Sequence, residues 1–383
     1  MQALPGQKMS SCRPPWGPAP CSARVIRAST WHGLHDSAAS EPQAQHPPCR
    51  HPVTSSRSRR HRVRPAATAA AAEVQPASPA GPQKRVVITG GTRGLGFAMA
   101  QQFLAAGDSV AITGRNAERL AAAVEALQEQ CGDAARVHGL PADCSNPEDM
   151  ERLGQWVKER LGGVDIWLNN AGEVTAKRLL ADVAAEEVVR VVGTNVVGSL
   201  LGCQQAVSLM RQQPGADSTE PRYLIFNFGF SPWGAKFTKS AATHKSTKRA
   251  LTQLNESLAQ ELRETGLTGI GVHNLSPGML LTNLLLKDST PAARRFFNAL
   301  AEEPETVAAA LVPRIRAATG TNGSIDYLTP ADALLRVLRG LPQIINGGRF
   351  FDKEGRRVAA PGQQYQENGV RVQVPQRQPT QAQ

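Results

Sequence analysis

Residues 89–96 read Thr-Gly-Gly-Thr-Arg-Gly-Leu-Gly, with spaced glycines at 90, 94 and 96. Apolar residues 86–88 run into this stretch. Beyond it, Phe97, Ala100, Phe103 and Leu104 fall on one face of a helical pattern. The order is strand, tight turn, helix, the context in which a glycine-rich turn is informative. Without side chains, the backbone can approach a pyrophosphate at a helix N-terminus, where free N–H groups and the helix dipole favour an anion. Taken alone, the turn is equally compatible with a plain strand-to-helix connection.

Two arginines sharpen the chemistry. A second predicted strand at 109–113 leads into Arg115, the position where a dinucleotide's ribose lies in such an arrangement. An acid there accepts a ribose 2′-hydroxyl, whereas an arginine suits a 2′-phosphate. Arg93, inside the glycine turn, is a second cation within reach. The pair points to NADP(H) rather than NAD(H), against the alternative of two solvated surface arginines. Asp143 ends the third strand-to-helix crossing and either accepts from an adenine amino group or caps the next helix.

The elements that must position these groups alternate along the chain. Strands are expected at 136–141, 165–169, 222–226 and 269–275, with a last one at 349–351. Helices are expected at 116–130, 147–160, 185–210 and 247–265. Strands alternating with helices of this length predict a doubly wound parallel sheet covered on both faces. The expected fold is a single three-layer α/β Rossmann domain over residues 85–355. A leader at 1–70 and a linker at 71–84 precede it, and a disordered Gln/Pro/Val-rich tail at 356–383 follows.

Charge separates the leader from the rest. Residues 1–84 hold eleven Lys/Arg against three acids, so they carry eight of the chain's eleven net positive charges. A basic pI confined to a leader removes the main argument for a nucleic-acid partner. Arg57, Arg59, Arg60, Arg62 and Arg64, followed by an alanine run, resemble the end of an organelle transit peptide. A basic disordered arm is the alternative. No apolar core of a secretory signal appears, and no stretch approaches the roughly 18 apolar residues of a membrane span, so any membrane contact is expected to be peripheral. The six cysteines lack metal-binding spacing, and neither a metal site nor a disulfide framework is expected.

Four motifs in order carry a family resemblance: Thr89-Gly-x-x-x-Gly94-x-Gly96, Asn169-Asn170-Ala171-Gly172, Asn195, and Ser276-Pro277-Gly278. From about residue 85 to 286 the chain resembles the short-chain dehydrogenase/reductase family. That resemblance implies cofactor contacts from Thr89, Gly90, Thr92, Arg93, Gly94, Leu95 and Gly96. It implies further contacts from Asn170, Ala171 and Gly172, from Lys248, and from Pro277, Gly278 and Thr282. It gives Asn195 the role of holding a water in a proton relay.

A narrower likeness, to plastid chlorophyll(ide) b reductases, rests on residues 165–172, 272–279, 295–302 and 311–317. It implies NADPH-dependent reduction of the C7 formyl group of chlorophyll b or chlorophyllide b to hydroxymethyl. It also implies a chloroplast location, in the stroma or peripherally on the thylakoid, and reads the leader as a transit peptide. Pairing with itself or with a related reductase is expected through the helices around Asn195 and Lys248.

The family's catalytic pair is a Tyr four residues before a Lys, whose charge lowers the phenol pKa. Here the Lys is Lys248 and the tyrosine position holds His244. Ser231, thirteen residues earlier, matches the hydroxyl that binds the substrate carbonyl. The implied catalytic set is therefore Asn195, Ser231, His244 and Lys248. An imidazole can donate a proton, but a neighbouring ammonium lowers its pKa. Three readings stay open: a reductase that uses His244, an NADPH-binding partner without turnover, and another plastid carbonyl reductase, such as an acyl-carrier ketoreductase. The apolar residues 279–286 with Phe296 and Phe297 suit a lid over a large flat ligand, or equally a core helix or dimer contact.

Overall fold

A computed structural model describes residues 81–132, 136–231 and 240–374. Short apolar runs form the strands β1 (Arg85–Ile88), β2 (Ser109–Gly114), β3 (Val137–Pro141), β4 (Ile166–Asn169), β5 (Tyr223–Phe228) and β6 (Ile270–Ser276). β7 (Met279–Leu280) pairs with β8 (Ala301–Glu302), and β9 (Asn322–Asp326) completes the main sheet. All neighbours in that seven-stranded sheet are parallel, in the order β3-β2-β1-β4-β5-β6-β9. The β4, β5 and β6 runs are buried at nearly every residue, as strands covered on both faces require.

Helices cover each face. α1 (Gly94–Ala105), α2 (Ala117–Cys131) and a later helix, Pro304–Arg316, close one apolar layer around Phe97, Phe103, Leu127 and Leu311. α3 (Pro147–Leu161) and α5 (Gly198–Met210) close the other around Met150, Trp167 and Met210, joined by α6 (Ala242–Glu264) through Leu254, Leu258 and Leu262. Local chemistry sets several ends. Asn116 and Asn146 accept N–H groups at the starts of α2 and α3, and Gly132 and Gly162 end the same helices in the left-handed conformation.

The sheet order reverses between β1 and β4. A doubly wound sheet opens a crevice at that switch point, beyond the carboxyl ends of the strands. The glycine turn leaves β1 there, and the Asn170 loop leaves β4 beside it.

Three expectations need correction. The seventh strand is Asn322–Asp326, not 349–351. Its exposed Asn322, Gly323 and Ser324 give no apolar run to read, yet it pairs in register with β6. Phe350 and Phe351 instead donate their backbone N–H groups to the buried Asn298 carboxamide.

The helical stretch 185–210 is α4 (Ala185–Val192) and α5 separated by a π turn at Gly193–Val197.

The chain after Gly355 is ordered against the domain as far as residue 374. Arg357 pairs with Glu303, and its guanidinium lies over the rings of Phe350, Phe351 and Tyr365. Val370 packs on the apolar cluster of Leu281, Leu286 and Phe351. Polar composition suggested a free tail because these arginine and glutamine side chains act through ion pairs and stacking rather than apolar bulk. The expected leader and linker up to residue 80, and residues 375–383, lie outside the described residues.

Candidate active site

The crevice is a cleft of about 1980 Å³. Its floor is a braced pair of turns. Asn170 Nδ2 donates to the carbonyls of Thr89 (2.9 Å) and Gly90 (3.0 Å), and the backbone N–H of Ala171 donates to Thr89 Oγ1 (3.1 Å). These turns leave no room for side chains. A Cβ on Gly96 would stand 2.5 Å from both Asn170 Nδ2 and the Gly90 carbonyl oxygen. Gly90 and Gly94 take left-handed φ values of 67° and 60°, which favour glycine. The sequence therefore builds a close-packed turn at the N-terminus of α1, with a Cβ-free face toward the cleft.

One end of the cleft is cationic. Arg93, Arg115 and Arg119 all line it. The Arg93 guanidinium is held below its usual pKa by burial, then by the charges of Arg119 and Arg115. Three like charges packed together call for an anion. Glu173 supplies one, pairing with Arg115 and, at 2.7 Å, with Arg190. A phosphate would neutralise the cluster more fully, through forked donors that match its geometry. Arg119 was missed in the sequence; it stands one helical turn beyond Arg115, placed by the Asn116 cap that accepts its N–H.

At the other end, α6 carries His244 and Lys248 one turn apart, and both line the cleft with Ser231. Burial, then the Lys248 charge, lowers the His244 pKa from 6.5 to about 4. Burial lowers Lys248 from 10.5 to about 8. The imidazole is therefore neutral and the ammonium charged at neutral pH. His244 packs edge-to-face against Phe230, with ring centres 5.4 Å apart, and its Nδ1 lies 2.8 Å from Ser240 Oγ.

Asn195 sits on the π turn, a wider turn often found at functional sites. It is fully buried. Its side chain clamps the backbone of Glu173, accepting from the N–H (2.8 Å) and donating to the carbonyl (2.9 Å), and donates to Thr247 Oγ1 at 3.0 Å.

A lid closes the cleft above. α7 (Asn283–Leu286) and α8 (Pro291–Leu300) follow β6, ahead of α9 (Pro304–Arg316) and α10 (Pro330–Asn346). Met279, Leu280, Leu284, Phe296 and Leu300 face the cleft, while Leu281 and Leu286 are buried beneath. The expected lid is thus part cleft wall and part core. The final described segment also lines the cleft, with Gln373 accepting the Gly94 N–H and donating to the Gly94 carbonyl at 3.2 Å.

Most of the residues singled out in the sequence meet here: Gly90, Thr92, Arg93, Gly94, Leu95, Gly96, Arg115, Asn170, Ala171, Gly172, Ser231, His244, Lys248, Pro277, Gly278 and Thr282. Asp143 also lines the cleft, but its Oδ1 accepts from the N–H and hydroxyl of Ser145 in a turn. Thr89 and Asn195 stand behind the cleft wall, bracing it. Ser240, Glu173 and Gln373 were not anticipated, because each is placed by a contact distant from any motif.

Residues 84–292 match the family model described as short chain dehydrogenase. The chain belongs to that family of oxidoreductases, whose members bind a nicotinamide cofactor, NAD or NADP. It is similar to the probable chlorophyll(ide) b reductase NYC1, chloroplastic, of Oryza sativa subsp. japonica, with 39% identity over 296 residues. That match covers 73% of this chain and 56% of the rice protein, so the chain spans little more than half the length of that relative. Against the chlorophyll(ide) b reductase NOL, chloroplastic, of Arabidopsis thaliana, identity is 37% over 282 residues, 72% of this chain and 79% of the relative. A farnesol dehydrogenase of Aedes aegypti is 31% identical over 204 residues, 53% of this chain and 79% of that enzyme.

Proposed function

We propose that the protein is an NADPH-dependent reductase of the formyl group of chlorophyll b or chlorophyllide b, working in the chloroplast. The observation that carries this reading is the arrangement along one cleft: three arginines at one end, His244 and Lys248 at the other, and an apolar lid between lid helices and tail. Its volume is about twice the upper end of the range for ordinary ligand sites, room for a dinucleotide and a second large molecule. The named activities of the rice and Arabidopsis relatives supply the substrate class.

A reduced nicotinamide cofactor held in this cleft would supply the hydride for the carbonyl carbon. The chain's own groups handle binding and the proton. Arg93, Arg115 and Arg119 would hold the 2′-phosphate, and the backbone N–H groups of the glycine turn at the start of α1 would donate to the pyrophosphate. Lys248 holds the nicotinamide ribose. Ser231 donates a hydrogen bond to the carbonyl oxygen, polarising it. His244, neutral at working pH, gives its ring N–H proton to that oxygen as negative charge develops there and takes a proton back at its other ring nitrogen, so that the ring ends neutral.

A second reading has its own support. Val189, Val192, Val197 and Leu200 leave an exposed apolar strip along α4, the π turn and α5, which suits pairing with a second copy or a related reductase. A neutral imidazole is a weak acid, so an NADPH-binding partner without turnover fits the same site. Incubating the protein with NADPH and chlorophyllide b, with the product read by absorbance and chromatography, decides between them. A 7-hydroxymethyl product supports the reductase; cofactor binding without product supports the silent partner.

A further inference from the structure

Ser240 lies just ahead of α6, one helical turn before His244, and its hydroxyl is 2.8 Å from His244 Nδ1. Among the described residues this is the polar contact the imidazole makes, and the ring otherwise faces Phe230 and the cleft. Which ring nitrogen carries the proton is set by the hydrogen bond at the other one. A serine hydroxyl both donates and accepts, so the contact admits two arrangements. If Nδ1–H donates to Ser240, Nε2 presents a lone pair and the ring can only accept a proton. If Ser240 O–H donates to Nδ1, Nε2 carries the hydrogen and the ring can give one.

We infer that Ser240 is a positioning residue that donates to Nδ1 and holds His244 as the Nε2–H tautomer, the proton-donating form that carbonyl reduction requires. This rests on the reductase reading for its purpose but not for its test. The steep cost of leaving a neutral imidazole as an anion explains why a hydroxyl is useful there. As the Nε2–H bond breaks and an O–H bond forms on the carbonyl-derived oxygen, the Ser240 O–H bond breaks and an Nδ1–H bond forms. A solvent water protonates the serine oxygen and leaves as hydroxide, which the buffer neutralises, and after product release the ring exchanges back to the Nε2–H form that Ser240 favours. The ring stays neutral throughout, in keeping with a buried site beside the Lys248 ammonium, where an imidazolium is disfavoured.

The tautomer can be read directly, without substrate. In the full chain labelled with ¹⁵N-histidine, long-range ¹H–¹⁵N correlation spectra separate the two neutral forms, and His244→Phe identifies the signal among the eight histidines. The expected result is a protonated Nε2 and a hydrogen-bonded acceptor Nδ1 in the native protein and in Ser240→Thr. Ser240→Ala should give a mixture of tautomers. A protonated Nδ1 in the native protein, or no change of tautomer in Ser240→Ala, overturns the inference. In turnover, Ser240→Ala should lower kcat up to about 10²-fold, the lower end of what a positioned proton donor contributes. The KM for NADPH should be unchanged, and Ser240→Thr should restore the rate. Loss of kcat that Ser240→Thr fails to restore also counts against it. If the native protein turns nothing over, the reductase reading fails, and the spectra alone decide the role of Ser240.

Discussion

Asn195 Nδ2 donates to Thr247 Oγ1 across 3.0 Å, and Thr247 Oγ1 donates in turn to the carbonyl of His244. The same carboxamide clamps Glu173, the residue that neutralises Arg115. One buried side chain thus ties the α6 helix that carries His244 and Lys248 to the loop that meets the arginine cluster. Asn195→Ala should leave the N–H and carbonyl of Glu173 unpaired and take from Thr247 Oγ1 the hydrogen bond it accepts, while its bond to the His244 carbonyl stays. The expected loss is about 2–4 kcal/mol of unfolding free energy in urea, because buried unsatisfied polar groups cost roughly 1–3 kcal/mol each. With Thr247→Val as partner, a double-mutant cycle should show coupling near 1 kcal/mol. Strict additivity would remove the link between the two residues.

Arg115 and Arg119 should set cofactor choice. NADPH should bind more tightly than NADH, and Arg115→Asp should remove a charge-assisted pair worth roughly 1.5–3 kcal/mol. Arg119→Ala should weaken NADPH and leave NADH nearly unchanged. Fluorescence titration of both cofactors against the three proteins checks this. Equal affinities in the native protein would contradict it.

His244 predicts a pH dependence of stability. The unfolded chain binds a proton at this residue near pH 6.5, whereas the folded chain resists it until about 4, through burial and the Lys248 charge. The contribution is full above about 6.5 and is lost as the pH falls through that window, by up to about 3 kcal/mol. Between pH 6.5 and 4 the unfolding free energy of His244→Phe should therefore fall less than that of the native protein. Parallel pH profiles would be the contrary result.

The segment after Gly355 should behave as part of the domain. Arg357 and Glu303 are both nearly buried, with side chains 9% and 13% exposed. Arg357→Ala strands the Glu303 carboxylate and the faces of Phe350 and Tyr365, and should cost about 3–5 kcal/mol. Thermal melts of the variant measure it. A melting temperature equal to the native one would return the segment to a free tail.

Much of this was legible in the sequence. The β1 turn, the Asn170 loop and the succession of strands along the chain up to β6 follow from apolar runs and glycine spacing, because all of those strands except the edge strand β3 are buried at nearly every residue. β9 was not legible: its hydrogen bonds to β6 need no apolar side chains. The Arg357 stack was hidden for the opposite reason, since its parts lie at residues 303, 350, 351 and 365 and meet only after folding. Arg93 and Arg115 pointed to the cationic part of the cleft, whereas Glu173 and Ser240 act through side-chain contacts that no local pattern announces.

His244 in place of the family's tyrosine is the point on which the function turns. Because its imidazole stays neutral above about pH 5 and Lys248 keeps its charge up to about 8, the rate should be flat across that interval and fall above it. The most direct measurement is NADPH-dependent conversion of chlorophyllide b by the native protein and by His244→Ala, followed by chromatography of the pigment. The native protein should give the 7-hydroxymethyl product, and His244→Ala should be slower by about 10²–10⁴-fold with NADPH affinity unchanged. Equal rates in the two proteins, or no product from a native protein that binds NADPH, would contradict the role assigned to His244.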